Sequence, residues 1–111
     1  MAISKKYLFN DKDLQLSKVC KALGHPARIA IVKALLNKNN QTCQDIVDIL
    51  PLSQSTVSQH LKELRIAGLI KGLNKKTSVI YTVDKDALNN AQRMLSDIFF
   101  QKTVSRQAKL F

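Results

Sequence analysis

The stretch "SQSTVSQH", residues 53–60, holds six Ser, Thr or Gln side chains between Ser53 and Gln59. Hydroxyls and amides at this density supply hydrogen-bond donors and acceptors without charge or bulk. They are ordinary helix formers at best, because they compete for the backbone's own hydrogen bonds. Yet Val57, Leu61 and Leu64 recur at i, i+4 and i+7, the apolar stripe of an amphipathic helix. Such a helix sits on a core by one side and offers the other to a partner that has donors and acceptors of its own. Three lysines follow closely, Lys71, Lys75 and Lys76, and they would meet negative charge.

Other chemistries find less support. Glycine totals three, and there is no Gly-rich phosphate loop, nucleophile–base pair or metal-ligand cluster. An enzyme is therefore not expected, and no cofactor or metal is called for. The two cysteines, Cys20 and Cys43, fit a reducing compartment, and a core of this size does not need a disulfide between them. Cys20 lies on an apolar stripe and reads as buried and inert. Cys43, near a helix start, is placed for a lowered pKa and for sensing oxidants.

The chain bears 18 basic and 8 acidic residues, a formal net charge of +10. Residues 1–40 carry eight basic and two acidic, 41–70 two and three, and 71–111 eight and three. Two basic flanks thus enclose a near-neutral middle. A small domain stays soluble with far less charge, so a polyanion is the expected partner. At 111 residues the chain is expected to form one domain, residues 1–111, with its core near 14–100. No apolar run approaches a membrane span and the N-terminus has no apolar h-region, so a soluble, cytoplasmic protein without membrane contact is expected.

Stepping along the chain, Asp11 or Asp13 is expected to cap a first helix with Leu16, Val19, Cys20 and Leu23 inward, ending at Gly24. Pro26 opens a second helix with Ile29, Val32, Leu35 and Leu36 inward. "NKNNQ" (37–41) reads as a polar loop. Thr42 caps a short third helix bearing Ile46, Val47, Ile49 and Leu50. "PLS" makes a tight turn, Ser53 caps the fourth helix, and Gly68 ends it. Strands near 69–73 and 78–83 flank "NKKT" as a hairpin. A last helix runs from about Lys85 to Phe100, with Leu88, Ala91, Leu95, Ile98 and Phe99 on one side and frayed residues beyond.

The fold class is mainly α with a small β-hairpin: two short helices joined by a tight turn, then a hairpin, make a winged helix-turn-helix with about five helices and a two-stranded wing. In that arrangement the second helix enters the major groove of double-stranded DNA. Gln54 and Gln59 suit adenine's paired donor and acceptor, and Ser55, Thr56 and Ser58 are short enough for close approach. His60 and Lys62 are expected at the DNA backbone. Lys71, Lys75 and Lys76 on the wing are expected at phosphates or the minor groove. The alternative is a winged helix that binds proteins without reading DNA sequence.

"LGHPARIAIVKALL" followed by "CQDIVDILPLSQSTVSQHLKELRIAGLI" resembles the ArsR/SmtB family of winged-helix repressors, over roughly residues 14–100. The resemblance implies a repressor that binds a partly palindromic operator as a homodimer. Its interface would use the first and last helices: Leu16, Val19, Leu23, Leu88, Ala91, Leu95, Ile98 and Phe99. The apolar stripes of those two helices exceed what a small monomer covers, which agrees. Family members often release DNA when metal binds. At one of the positions used, this chain has Thr42 and Gln44 in place of a cysteine pair; at the other it has Asp84, Asp86, Asp97 and Phe100. Asp84 and Asp86 read instead as helix cap and dipole partner, and Asp97 as solvated. Neither His25 nor His60 completes a metal site, and no inducer is indicated.

Overall fold

The structure, a computed structural model, describes residues 8–110, with side chains through Phe100. It consists of α1 (Asp11–Leu23), α2 (Pro26–Asn37), α3 (Cys43–Val47), α4 (Gln54–Ile66), β1 (Ile70–Lys75), β2 (Ser78–Val83) and α5 (Lys85–Leu110). The expected order of elements is present, and the departures are local.

In α1 the cap is Asn10, whose Oδ1 accepts the Asp13 N–H at 2.8 Å. Asp11 and Asp13, expected as caps, sit inside the first turn, where their charge complements the helix dipole. Val19 and Ala22 are buried and Leu16 and Leu23 half-buried, whereas Cys20 is exposed. The inward stripe is narrower than expected: Cys20 is rotated about 100° from Val19 on the helix, which takes it off that stripe.

Pro26 occupies the first turn of α2, and His25 caps that helix by accepting the Ala27 N–H on Nδ1 at 3.0 Å. The buried residues are Ile31, Val32 and Leu35, while Ile29 and Leu36, expected inward, are exposed. Because α2 packs against both α4 and β2, its inward face is centred on the Ile31–Leu35 pair.

"NKNNQ" is more than a loop. Gln41 is buried and bridges Tyr81 of β2 through two backbone hydrogen bonds, 3.1 and 2.8 Å. Its side-chain amide donates to the carbonyls of Ala34 and Lys38, and among the described residues no buried side-chain N or O is left unpaired. Asn39 Oδ1 also accepts the Val83 N–H, at 3.1 Å. The outer edge of the wing is thereby stitched to the end of α2.

Thr42 caps α3 in a reciprocal capping box with Asp45, its Oγ1 accepting at 3.1 Å while the Asp45 carboxylate accepts the Thr42 N–H at 3.0 Å. Ile46 is fully buried, but Ile49 lies beyond the helix and is exposed. The turn into α4 starts at Asp48, so it is longer than "PLS" alone. The end of α4 is a Schellman motif: Gly68 N–H bonds Arg65 O, Leu69 N–H bonds Leu64 O, and Gly68 has φ +81°. Glycine is needed there, since a side chain at that φ is strained.

β1 and β2 pair antiparallel from Ile70↔Val83 to Lys75↔Ser78, with Lys76 and Thr77 at the tip. Asp84 caps α5, accepting the Ala87 N–H at 3.0 Å. The backbone of α5 stays helical to Leu110 rather than ending near Phe100. The core draws on every helix: Ile31, Leu35, Ile46, Val57, Leu61, Leu64 and Leu69, from α2 to just past α4, are fully buried, and Val19 and Ala22 of α1 and Ala91 of α5 close over them. Each fully buried side chain contributes about 1.5–3 kcal/mol by leaving water.

Candidate nucleic-acid interface

The polar run forms the first two turns of α4. Ser53 Oγ accepts the Thr56 N–H at 3.3 Å and bonds Thr56 Oγ1 at 2.9 Å and Ser55 Oγ at 3.3 Å. This cap fixes where the helix begins and holds three hydroxyls together at its positive end. Val57, Leu61 and Leu64 have no exposed surface. Gln54, Ser55, Thr56, Ser58, Gln59 and Lys62 are all exposed. From Gln54 to Lys62 the helix therefore separates into an anchored side and an open face of neutral hydrogen-bonding groups with a single lysine; Arg65 and Ile66, beyond it, are exposed as well.

His60 is the exception to the expected set. It is only 9% exposed, and its Nδ1 accepts from Arg28 Nε at 3.1 Å. Its ring lies 4.4 Å from that of His25, centroid to centroid, tilted by 49°. Burial is the main cause that holds its pKa below the ordinary histidine value, and the charges of His25 and Arg28 add to it. Placed one step past Gln59 on the helix, its side chain turns inward to α2 rather than outward to a backbone. Neither Arg28, which falls in the quoted family motif, nor Gln41, which falls in the polar loop, was assigned a role from the sequence, since a buried polar side chain is recognised only by its partner.

Lys71, Lys75 and Lys76 are exposed along the wing. Lys76 has φ +53°, the left-handed conformation that a two-residue hairpin tip requires. Lys71, at the base, is paired with Asp84 at 3.7 Å. Arg65, in the last turn of α4, reaches the wing: its Nη1 lies 3.4 Å from where a Cβ of Gly72 would stand. Gly72 leaves room for that approach, which joins the end of α4 to the first strand.

Cys43 starts α3, half-buried, with its Sγ 3.8 Å from the Gln54 carbonyl as donor. Burial raises its pKa, against the lowered value expected from its helix start. Both cysteines are free thiols. Among the described residues no three His, Cys, Asp or Glu side chains come together as metal ligands. Asp84 is engaged as cap and ion-pair partner, and Asp97 is exposed.

The model of the bacterial regulatory protein, arsR family, matches residues 25–71, from the α2 cap through α4 into the wing. The nodulation protein NolR of Rhizobium meliloti is 30% identical over 88 residues, covering 79% of this chain and 71% of NolR. This chain belongs to the ArsR family. The transcriptional repressor SmtB of Mycobacterium tuberculosis is 42% identical over 65 residues, 58% of this chain and 47% of that one. Among solved structures, an ArsR-like transcriptional regulator from Rhodococcus superposes with a TM-score of 0.73 at 25% identity, covering 87% of this chain and 90% of that one. This ArsR-family chain is thus a winged-helix, DNA-binding transcriptional regulator, and its relatives include proteins named as transcriptional regulators and repressors. Among the described residues no helix is long and apolar enough to cross a membrane.

Proposed function

We propose that this ArsR-family protein is a repressor that binds a partly palindromic operator as a homodimer, with α4 of each subunit in the major groove. The observation that carries the reading is the division of α4: Val57, Leu61 and Leu64 without exposed surface, Gln54, Ser55, Ser58 and Gln59 open to solvent. Amides and hydroxyls on short side chains match the donor and acceptor pattern of base edges. Lys62, Lys75 and Lys76 add charge where phosphates would run, and Lys71 joins them once its weak surface pair with Asp84 opens.

The dimer reading rests on α1 and α5. Leu23, Leu88, Ala91, Leu95, Phe99 and Phe100 line a groove of about 550 Å³. Ile98 and Phe100 are 52% and 70% exposed, a concentration of large apolar surface at one helix that marks an interaction site. A second copy would cover it by its own symmetric face. Two recognition helices would then read half-sites about one helical turn apart.

The test is selection of duplexes from random sequence, followed by sedimentation of the bound complex. An inverted repeat bound by two chains supports the reading. Recovery of no enriched sequence, with binding set by salt alone, would remove the base-reading role from α4.

A further inference from the structure

A cluster of three polar side chains joins the start of α2 to the middle of α4 beneath the open face. His60 Nδ1 accepts from Arg28 Nε at 3.1 Å, Arg28 Nη1 donates to the Ala22 carbonyl at the end of α1 at 3.3 Å, and the His25 ring lies against that of His60. Three helices thus meet at one hydrogen bond between side chains 32 residues apart.

We propose that the Arg28–His60 contact is a proton-sensitive latch that sets the orientation of α4 for DNA, and that protonation of His60 releases it. Nδ1 accepts only while it carries no proton; a proton there converts it into a second donor on a cation. Arg28 cannot give up its own charge. Protonation therefore sets two donors and two positive charges face to face at a residue that is only 9% exposed. The bond breaks and one side must move. Arg28 is held at its other end by Ala22, so the displacement falls on His60 and on the helix that carries Gln59 one step before it.

The surroundings offer no compensation. The charges that bear on His60 are those of His25 and Arg28, both from the α2 side. From α1 it meets the Arg28-bound Ala22 carbonyl, and α3 and β1, which also pack on α4, bring no hydrogen-bonding or ion-pairing partner to it among the described residues. The only histidines in the chain are these two, and Cys43, with its raised pKa, stays protonated in acid. The direction is diagnostic. A chain of net charge +10 that gains protons should ordinarily hold phosphate more tightly. The latch makes binding weaker in acid.

The inference rests on α4 being the helix that enters the groove; binding at neutral pH tests that reading by itself, and only the pH trend tests the latch. Affinity for a selected duplex is measured by fluorescence anisotropy at constant ionic strength, from about pH 7.5 to about 5, a span that reaches well below the ordinary histidine value because burial lowers that of His60. The wild type should weaken by about fivefold or more. His60→Asn, which keeps an acceptor near the position of Nδ1 and takes up no proton, should hold its affinity level. His25→Gln should still weaken, since Arg28 remains. Circular dichroism should show the helices intact throughout. If His60→Asn does not fold, the wild-type His60 ring resonances decide: their midpoint should coincide with the loss of binding. Wild-type affinity that is level or rises in acid overturns the latch, as does a parallel fall in folded His60→Asn or a His60 midpoint away from the loss.

Discussion

Lys71 at the base of the wing lies 3.7 Å from Asp84, the residue that caps α5. One carboxylate so joins the strand that follows the recognition helix to the helix proposed for dimerisation. The cap outweighs the ion pair, because Lys71 is 70% exposed and solvent screens the charge. Asp84→Ala should cost about 1 kcal/mol in urea denaturation, whereas Asp84→Asn keeps a capping oxygen and should lose only a few tenths. Equal losses from both changes would assign the stabilisation to the ion pair.

The wing tip is expected to supply charge rather than sequence reading. Replacing Lys75 and Lys76 together with Ala leaves a Cβ at the φ +53° position, so backbone strain stays the same and only charge is lost. Specific and random duplexes should weaken about equally, and the slope of log affinity against log salt should flatten by up to about two. A wing outside the interface would leave the slope where it was.

Leu95 lines the groove between α1 and α5, half-buried beside Ala91. Leu95→Asp would place a carboxylate in a surface that a second chain covers, where it finds no water or partner. Sedimentation should show monomer, and operator affinity should collapse with it. A wild-type protein already monomeric at micromolar concentration would remove the dimer from the reading.

Stability itself should depend on pH through His60. Its folded pKa lies below the ordinary value, mainly through burial, so the unfolded chain takes up the proton first. The contribution is fully present above the unfolded value of about 6.5 and is lost as pH falls through the folded one. Melting temperature should therefore decline between about pH 7 and 5 in the wild type and less in His60→Asn. Asp45, whose pKa is lowered chiefly by the Thr42 backbone bond, acts in the same direction only as pH falls into and below the ordinary carboxylate range, so the two are separable.

The hydrophobic periods made the order of elements legible, and side-chain chemistry made several ends legible. Thr42 and Ser53 cap as their residue types suggest, and Gly68 closes α4 where a positive φ is required. Periodicity fixes a helix's stripe but not its rotation against neighbours. That is why Ile31 is buried in place of Ile29, and why Cys20 is exposed. Competing caps with similar propensity are separated only by geometry, so Asn10 took the role expected of its two aspartates. The exposed polar face of α4 was legible because it adjoins a strong apolar stripe. His60 was not, for its burial depends on Arg28, 32 residues away. Gln41 was hidden for the same reason: its partners are backbone groups of α2 and β2.

Gln59 bears most directly on whether α4 reads bases. It is exposed, and it stands beyond the buried Val57–Leu61–Leu64 stripe, so loss of its amide should leave stability within about 0.5 kcal/mol. The measurement is the ratio of affinities for the selected operator and for random duplex, in wild type and in Gln59→Ala. Base reading by this residue should lower operator affinity by about 1–3 kcal/mol and leave random duplex nearly unchanged, so the ratio falls. A parallel loss on both duplexes would leave Gln59 only positioning the backbone. Operator affinity equal to wild type would contradict the placement of α4 in the groove.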